Sequence, residues 1–265
     1  MSQLHRHFGF THHPFGRQTP AAALLLHDGF KQSLDLLRFS VELEAVALLV
    51  AEAGCGKSLL MGQLADELQQ AGWTVHYLAH STVSPFGLVN VLCRKVGLSP
   101  RRSRGETALQ VVDRLLHAEQ NHLLVLDEAH AMSDATLEDV RQLTIADFDR
   151  KSPFLLLLAG QPGIEDRLAE PCHRALDQRI TTVARLGPLS NQQTREYIER
   201  RLKAAGTKKP IFDPEAIDAV YLASTGIPRR INTIATSALI IAAARKHKTV
   251  SAQDVNDARL DRGRS

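Results

Sequence analysis

The stretch "LLVAEAGCGKSLL", residues 48 to 60, runs from an apolar segment through small residues to a lysine and a serine, then returns to apolar residues. Gly54, Cys55, Gly56, Lys57, Ser58 and Leu59 match the second half of a phosphate-holding loop. Such a loop needs converging main-chain N–H groups, a helix N-terminus behind them, a lysine for charge and a hydroxyl for magnesium. Ala51 stands where the usual pattern has its first glycine. Alanine is the smallest replacement and is tolerated if its φ stays negative.

Two further stretches complete the chemistry. "HLLVLDEAH" ends an apolar run in Asp127 and Glu128, which suits a magnesium-linked aspartate beside a glutamate that polarises water. "FLLLLAGQP" ends in Gln161, an amide suited to orienting that water or touching a terminal phosphate. The tetrapeptide "DEAH" also occurs in helicases, but those need two such cores and this length accommodates one. His130 reads as a packing or solvent-facing residue. Arg174 and Arg179 in "CHRALDQRI" are candidates for stabilising charge on a phosphate, and Arg229 and Arg230 in "STGIPRRIN" open an apolar helix. Positive charge at a helix N-terminus opposes the helix dipole, so an anionic partner, ATP phosphate foremost, is expected there.

These residues must be held by a scaffold, and the hydrophobic pattern names one. The apolar runs "AVALLVA" (45–51), "TVHYLA" (74–79), "HLLVLD" (122–127), "FLLLLAG" (154–160) and "ITTVARL" (180–186) are continuous rather than alternating. That is the pattern of strands buried on both faces, as in a parallel sheet covered by helices. "KSLLMGQLADELQQAG" follows the loop with helical spacing and a stop at Gly72. After "LGPLS" only helical patterns follow, with Asp213 and Ser251 as N-cap signals. The expected fold is therefore α/β, a parallel sheet covered by helices over residues 1–189, followed by a small all-helical domain over 190–265 and a short basic tail.

Composition narrows the setting. Hydrophobic residues make up 44% of the chain, as in an ordinary globular protein. Aromatics are only 5%, so any nucleic-acid contact rests on charge rather than base stacking. Cys55, Cys93 and Cys172 have no paired spacing and read as reduced thiols. His5, His7, His12 and His13 fit no common metal spacing. The opening residues lack the apolar core of a signal peptide, and no segment reaches the ~18 apolar residues of a membrane span. The expectation is a cytoplasmic protein with no membrane contact.

Together the loop, "LLVLDEAH", Gln161, the arginines before the last strand and "GIPRRIN" resemble an AAA+ ATPase. The opening "HFGFTHHPFG" is similar to the start of the ExeA-type ATPases of general secretion and of their transposition-linked relatives, the TniB, TnsC and IstB kinds. The resemblance implies ATP and Mg2+ as cofactors. Lys57 and Ser58 would hold phosphates and magnesium, Asp127 would support the metal, Glu128 would be the general base, Gln161 the first sensor and Arg229 the second. Phe8, Pro14 and Phe15 would lie near adenine. It also implies a homo-oligomer, ring or filament, with Arg174 or Arg179 as the finger from a neighbouring subunit.

Arg94, Lys95, Arg101, Arg102 and Arg104 place five positive charges within eleven residues, although the formal net charge is only +3. In transposition ATPases the corresponding region holds duplex DNA by its phosphates, without sequence preference and with steep salt dependence. The leading expectation is thus a DNA-binding ATPase that regulates transposition, meeting a transposase and a target-selecting protein, and disassembling on hydrolysis. The rival is a secretion-associated ATPase of the ExeA kind. Those continue into membrane and wall-binding parts, and the end of the sequence at Ser265 favours the DNA role. A small-molecule kinase would not explain "GIPRRIN" or an all-helical C-terminal domain, and a non-hydrolysing ATP switch requires Glu128 to be out of place.

Overall fold

The computed structural model describes residues 3–16, 24–44, 46–79, 85–146 and 151–262. Ala45, the first residue of the first expected strand, and the basic tail at 263–265 lie outside the described residues. Two compact units emerge, one of residues 29–186 and one of residues 1–28 with 187–265.

Among the described residues the first unit is built on five strands: β1 (Val46–Ala51), β2 (Thr74–Leu78), β3 (His122–Leu126), β4 (Leu155–Gly160) and β5 (Ile180–Leu186). They form one sheet in the order β2-β3-β4-β1-β5, and every pairing is parallel. All six residues of β1 and all six of β4 are buried. Successive side chains alternate between faces, so a continuous apolar run signals cover on both sides. Leu48, Val50, Leu124, Leu126, Leu156 and Leu158 belong to one apolar core. Each fully buried leucine is worth about 2–3 kcal/mol relative to exposure.

Helices supply that cover. In chain order they are α1 (Gln3–Phe8), which belongs to the other unit, α2 (Asp28–Glu42), α3 (Lys57–Gln70), α4 (Pro85–Lys95), α5 (Arg104–Leu116), α6 (Asp134–Leu143), α7 (Gly163–Leu168) and α8 (Arg174–Asp177). Leu88 and Leu92 of α4, Val111 and Leu115 of α5, and Leu137 and Val140 of α6 join the core. Helix α3 ends before Gly72, whose φ of +87° takes the left-handed conformation that stops a helix.

The second unit contains α9 (Asn191–Ala204), α10 (Pro214–Ser224), α11 (Pro228–Ala244) and α12 (Ala252–Arg262). Ser190 caps α9 in a reciprocal capping box with Gln193. Ser251 Oγ accepts the Asp254 N–H at 3.3 Å while Asp254 Oδ2 accepts the Ser251 N–H at 3.0 Å. Asp213 stands at the N-cap of α10, yet its side chain makes no capping bond; its carbonyl accepts from Ala216 and Ile217 instead.

The division of the chain differs from the sequence reading at its first residues, which pack with the helical unit rather than with the sheet. Phe10 and Phe15 join Ile198, Leu202, Ile217 and Leu239 in one core. Buried Arg201 fastens this segment, donating to Pro14 O at 2.7 Å and Gly16 O at 2.9 Å. Among the described residues no helix is long and apolar enough to cross a membrane.

Gly226 is the tightest point of the helical unit. Its φ is +75°, and a Cβ there would lie 1.9 Å from the carbonyl oxygen of Leu189, whose N–H donates to Gly226 O at 2.9 Å. Gly226→Ala therefore meets both a left-handed backbone and a main-chain clash. A loss of about 3 kcal/mol or more is expected in urea unfolding, against ~1 kcal/mol for conformation alone. An unchanged midpoint would show that this turn yields.

Candidate nucleotide site

Because the strands are parallel, the loop after β1, the acids after β3 and the amide after β4 all emerge on one edge of the sheet. In open α/β sheets, ligands bind outside the carboxyl ends of the strands. Ala51 is the last residue of β1, paired in register with Leu186 of β5, and is not among the residues of positive φ. The alanine thus occupies extended backbone where a Cβ costs nothing. The turn is made instead by Gly54 and Gly56, with φ of +93° and +109°.

Helix α3 starts directly at Lys57, and no side chain caps it. An uncapped N-terminus presents free N–H groups and a partial positive charge of about half a unit. Lys57 is buried, and its Nζ donates to Ala51 O at 3.1 Å. Ser58 and Leu59 are exposed, whereas the Cys55 side chain is buried.

Asp127 is buried at the end of β3. Its Oδ1 accepts the Glu128 N–H at 2.8 Å and its Oδ2 accepts the Tyr77 hydroxyl at 2.8 Å. Burial and the bond to Asp127 push the Tyr77 phenol up to about 12, so it remains a donor at neutral pH. Glu128 has a left-handed backbone, φ +57° and ψ +34°, a conformation that costs a non-glycine residue about 1 kcal/mol or more and clusters at functional sites. Its carboxylate lies between two cationic or potentially cationic groups, Lys57 Nζ at 3.8 Å and His130 Nε2 at 3.6 Å. Gln161 follows β4, donating its main-chain N–H to His130 Nδ1 at 3.3 Å, with its side-chain amide 3.0 Å from Nε2.

Hard oxygen donors suit magnesium, and the Ser58 hydroxyl and Asp127 carboxylate belong to that class. The uncapped helix, the glycine turn and the lysine at its base fit a phosphate chain. The structure thus brings together Gly54, Gly56, Lys57, Ser58, Asp127, Glu128 and Gln161 on one sheet edge. Tyr77, not marked by sequence, and His130, read there as a packing or solvent-facing residue, join them. Tyr77 could have been found only from the β2-β3 pairing, in which Tyr77 lies opposite Val125, two residues before Asp127.

The other candidates lie as follows. Arg174 is exposed at the start of α8, and Arg179 is half-buried in the turn before β5. Arg229 and Arg230 are exposed in the first turn of α11, which has no side-chain cap. Phe8 packs on Phe10 with ring centroids 5.5 Å apart. Phe15 is a core ring of the helical unit, edge-on to Phe212 at 6.3 Å. His7 Nε2 lies 2.7 Å from His247 O and His13 Nδ1 accepts the Phe15 N–H at 3.2 Å, so these histidines have structural contacts.

The basic segment divides. Arg94 and Lys95 occupy the last turn of α4, where positive charge favours the helix dipole. Arg101 and Arg102 are exposed in the connection to α5, with Arg101 Nε donating to Gln110 at 3.2 Å. Arg104 instead forms an ion pair with buried Asp139 of α6. The expectation of five like contributors thus needs correction at Arg104, whose charge is engaged by a buried acid.

Residues 41–168 match the family model described as an AAA domain. The matched residues lie within the sheet unit. The chain is also 32% identical over 254 residues to general secretion pathway protein A of Aeromonas hydrophila, covering 92% of this chain and 46% of that relative. The chain thus spans just under half of that protein's length. Among solved structures it is similar to Cdc6p from Pyrobaculum aerophilum, with TM-score 0.74 and 17% identity over 94% of this chain and 70% of the other. ORC1 from Aeropyrum pernix in complex with DNA gives TM-score 0.62 and 19% identity, over 93% and 66%. RuvB, the Holliday junction branch migration motor of Thermotoga maritima, gives 0.61 and 19%, over 89% and 69%. These likenesses establish the AAA+ core with its helical C-terminal region as the fold.

The ion pair of the sheet unit's Arg104 contributes to stability because its partner Asp139 is buried. Arg104→Ala leaves the Asp139 carboxylate buried and unpaired, and should cost about 2 kcal/mol, discounted from the larger figure for wholly buried pairs because the arginine is half exposed. Arg102→Ala should change stability by less than about 0.5 kcal/mol. Chemical denaturation of the two variants should rank them in that order.

Proposed function

We propose that this chain is a magnesium-dependent ATPase in which nucleotide state governs assembly. The observation that carries the reading is the buried Lys57 Nζ at the start of α3, 3.8 Å from Glu128 beside the strand-end Asp127. A lysine resting between a main-chain carbonyl and a carboxylate can exchange both for phosphate oxygens. In this reading the loop N–H groups and Lys57 bind the β- and γ-phosphates, and Cys55 and Leu59 contribute main-chain contacts. Ser58 and Asp127 would hold Mg2+, which would supply neutralising charge to the phosphates when bound.

Glu128 then takes the proton from a water whose oxygen attacks the γ-phosphorus while the bond to the ADP oxygen breaks, giving ADP and phosphate. Gln161 orients the terminal phosphate and that water. Arg229 is assigned the part of second sensor of phosphate charge, and Arg174 or Arg179 that of a finger from a neighbouring subunit of a ring or filament. Phe8 and Phe15 belong to the segment assigned to the adenine side. The Phe15 role is the more demanding, since its ring is a core residue.

For the cellular setting, the name of the Aeromonas hydrophila relative supports a part in a general secretion pathway, and this is the setting we favour, with the ATPase placed in the cytoplasm. A second reading has a specific observation behind it: Arg94 and Lys95 in the last turn of α4 and Arg101 and Arg102 in the connection to α5 are all exposed. In it the oligomer grips duplex DNA by its phosphates, and regulation of transposition through a transposase and a target-selecting protein is the finer form of that reading.

Lys57→Ala should abolish ATP binding in calorimetry. Glu128→Gln should bind ATP like the parent but lower turnover by about 100-fold or more and retain the assembled form in light scattering. Parent-like turnover in Glu128→Gln would remove the base assignment.

Duplex DNA affinity separates the settings. If the second reading holds, replacing Arg94, Lys95, Arg101 and Arg102 by Ala should weaken binding and flatten its dependence on salt by roughly one unit of slope per lost phosphate contact per subunit. An unaltered salt series would leave the secretion setting.

A further inference from the structure

His130 sits in the 3-10 turn Ala129–Ala131 that follows Glu128, with its side chain largely buried. The Gln161 main-chain N–H donates to its Nδ1 at 3.3 Å. A ring nitrogen that accepts a hydrogen bond carries no proton, so in the neutral imidazole the proton is on Nε2. Nε2 faces two groups, the side-chain amide of Gln161 at 3.0 Å and Glu128 Oε2 at 3.6 Å. A single N–H satisfies one acceptor fully. At these distances it serves Gln161: the amide nitrogen is the atom placed 3.0 Å away, but a neutral ring that accepts at Nδ1 must donate at Nε2, so the amide is assigned the other way round, with its oxygen toward the ring, while 3.6 Å exceeds hydrogen-bond length.

The backbone of this turn is held closely. Arg167 of α7 donates to the His130 carbonyl at 3.2 Å and is itself fastened by Asp134 of α6, which His173 also contacts at 3.0 Å. Arg167, and His173 after it, hold the Asp134 carboxyl below the usual range, so this anchor stays charged at neutral pH. A Cβ on Gly160 at the end of β4 would lie 3.5 Å from the His130 nitrogen and 3.1 Å from Ile164, so the turn and the strand end approach closely. A ring mounted so firmly can discriminate small rotations of the groups around it.

We infer that His130 is a positioning residue, a one-proton link between the Gln161 amide and the Glu128 carboxylate. The inference rests on the reading in which Glu128 is the base and Gln161 meets the terminal phosphate. Without nucleotide, the Nε2 proton is given to Gln161, and Glu128 lies between the ring and Lys57. When ATP enters, its phosphates take Lys57 and draw the Gln161 amide toward them. The Nε2 proton then loses its acceptor, and a small rotation of Glu128 closes the remaining gap. The carboxylate oxygen that accepts this hydrogen bond is held still, leaving the other to receive the proton from water. The histidine proton stays on the ring throughout.

The test uses the full chain, with steady-state ATP hydrolysis and calorimetric ATP binding. His130→Phe keeps a ring of similar size and removes the link; kcat should fall about tenfold or more, with KM and ATP Kd within about twofold of the parent. His130→Gln, which can accept and donate at once, should recover more than half of that loss on a logarithmic scale, which a purely space-filling role would not allow. The double variant His130→Phe, Gln161→Ala should turn over at the rate of the slower single variant, not at the product of the two losses. Parent-like kcat in His130→Phe, no recovery in His130→Gln, or multiplying losses would each overturn the link. Glu128→Gln measured alongside separates the two failures: if it is inactive while His130→Phe is normal, only the link falls; if it is active, the underlying base assignment falls.

Discussion

The parallel pairing of β1, β4 and β3 is the constraint on which the site depends. Strands that run the same way must all deliver their chain to the same edge, so residues far apart in sequence meet without any long loop reaching for them. Lys57, Asp127, Glu128 and Gln161 lie within six residues of the ends of three adjacent strands. Their positions are therefore set by main-chain ladders buried on both faces. Breaking the ladder would scatter the site, whereas changes in the outer helices would alter only its support.

Electrostatics at that edge are arranged around a charge that arrives from outside. The start of α3 is uncapped, Lys57 is buried against a carbonyl, and Glu128 is held in a left-handed conformation between Lys57 and His130. Each of these is costly in isolation: a buried ammonium, a free helix end, a strained residue. A phosphate chain relieves the first two together, since it offers oxygens to the lysine and to the N–H groups. That economy favours a nucleotide over a purely structural account of the same residues.

The helical unit is organised on a different principle. Its first segment is fastened by one buried guanidinium, Arg201, whose neighbours are the carbonyls of Pro14 and Gly16 and the ring of Tyr197. Burial lowers the Arg201 pKa, although the arginine remains charged at any physiological pH. The same unit seats the Gly226 turn on Leu189 and so sets where α11, with Arg229 and Arg230 in its first turn, begins.

Elements governed by local rules were legible in the chain. The five apolar runs became the five strands within a residue or two, Gly72 ended α3, and the four helices after residue 190 formed where their periodicity and Ser or Pro signals put them. Burial on both faces imposes continuous apolarity, helices impose their own spacing, and a glycine turn imposes a positive φ; each leaves a mark within a few residues. The glycine turn ahead of α3 was readable for the same reason. Only tertiary structure decided that the opening residues join the helical unit, that Tyr77 serves Asp127, that Arg104 is paired with Asp139 rather than standing with its basic neighbours, and that His130 touches both Gln161 and Glu128. Those contacts depend on which strands become neighbours and which helix faces meet, and a side chain's partner across that distance leaves no trace in the spacing of its own segment.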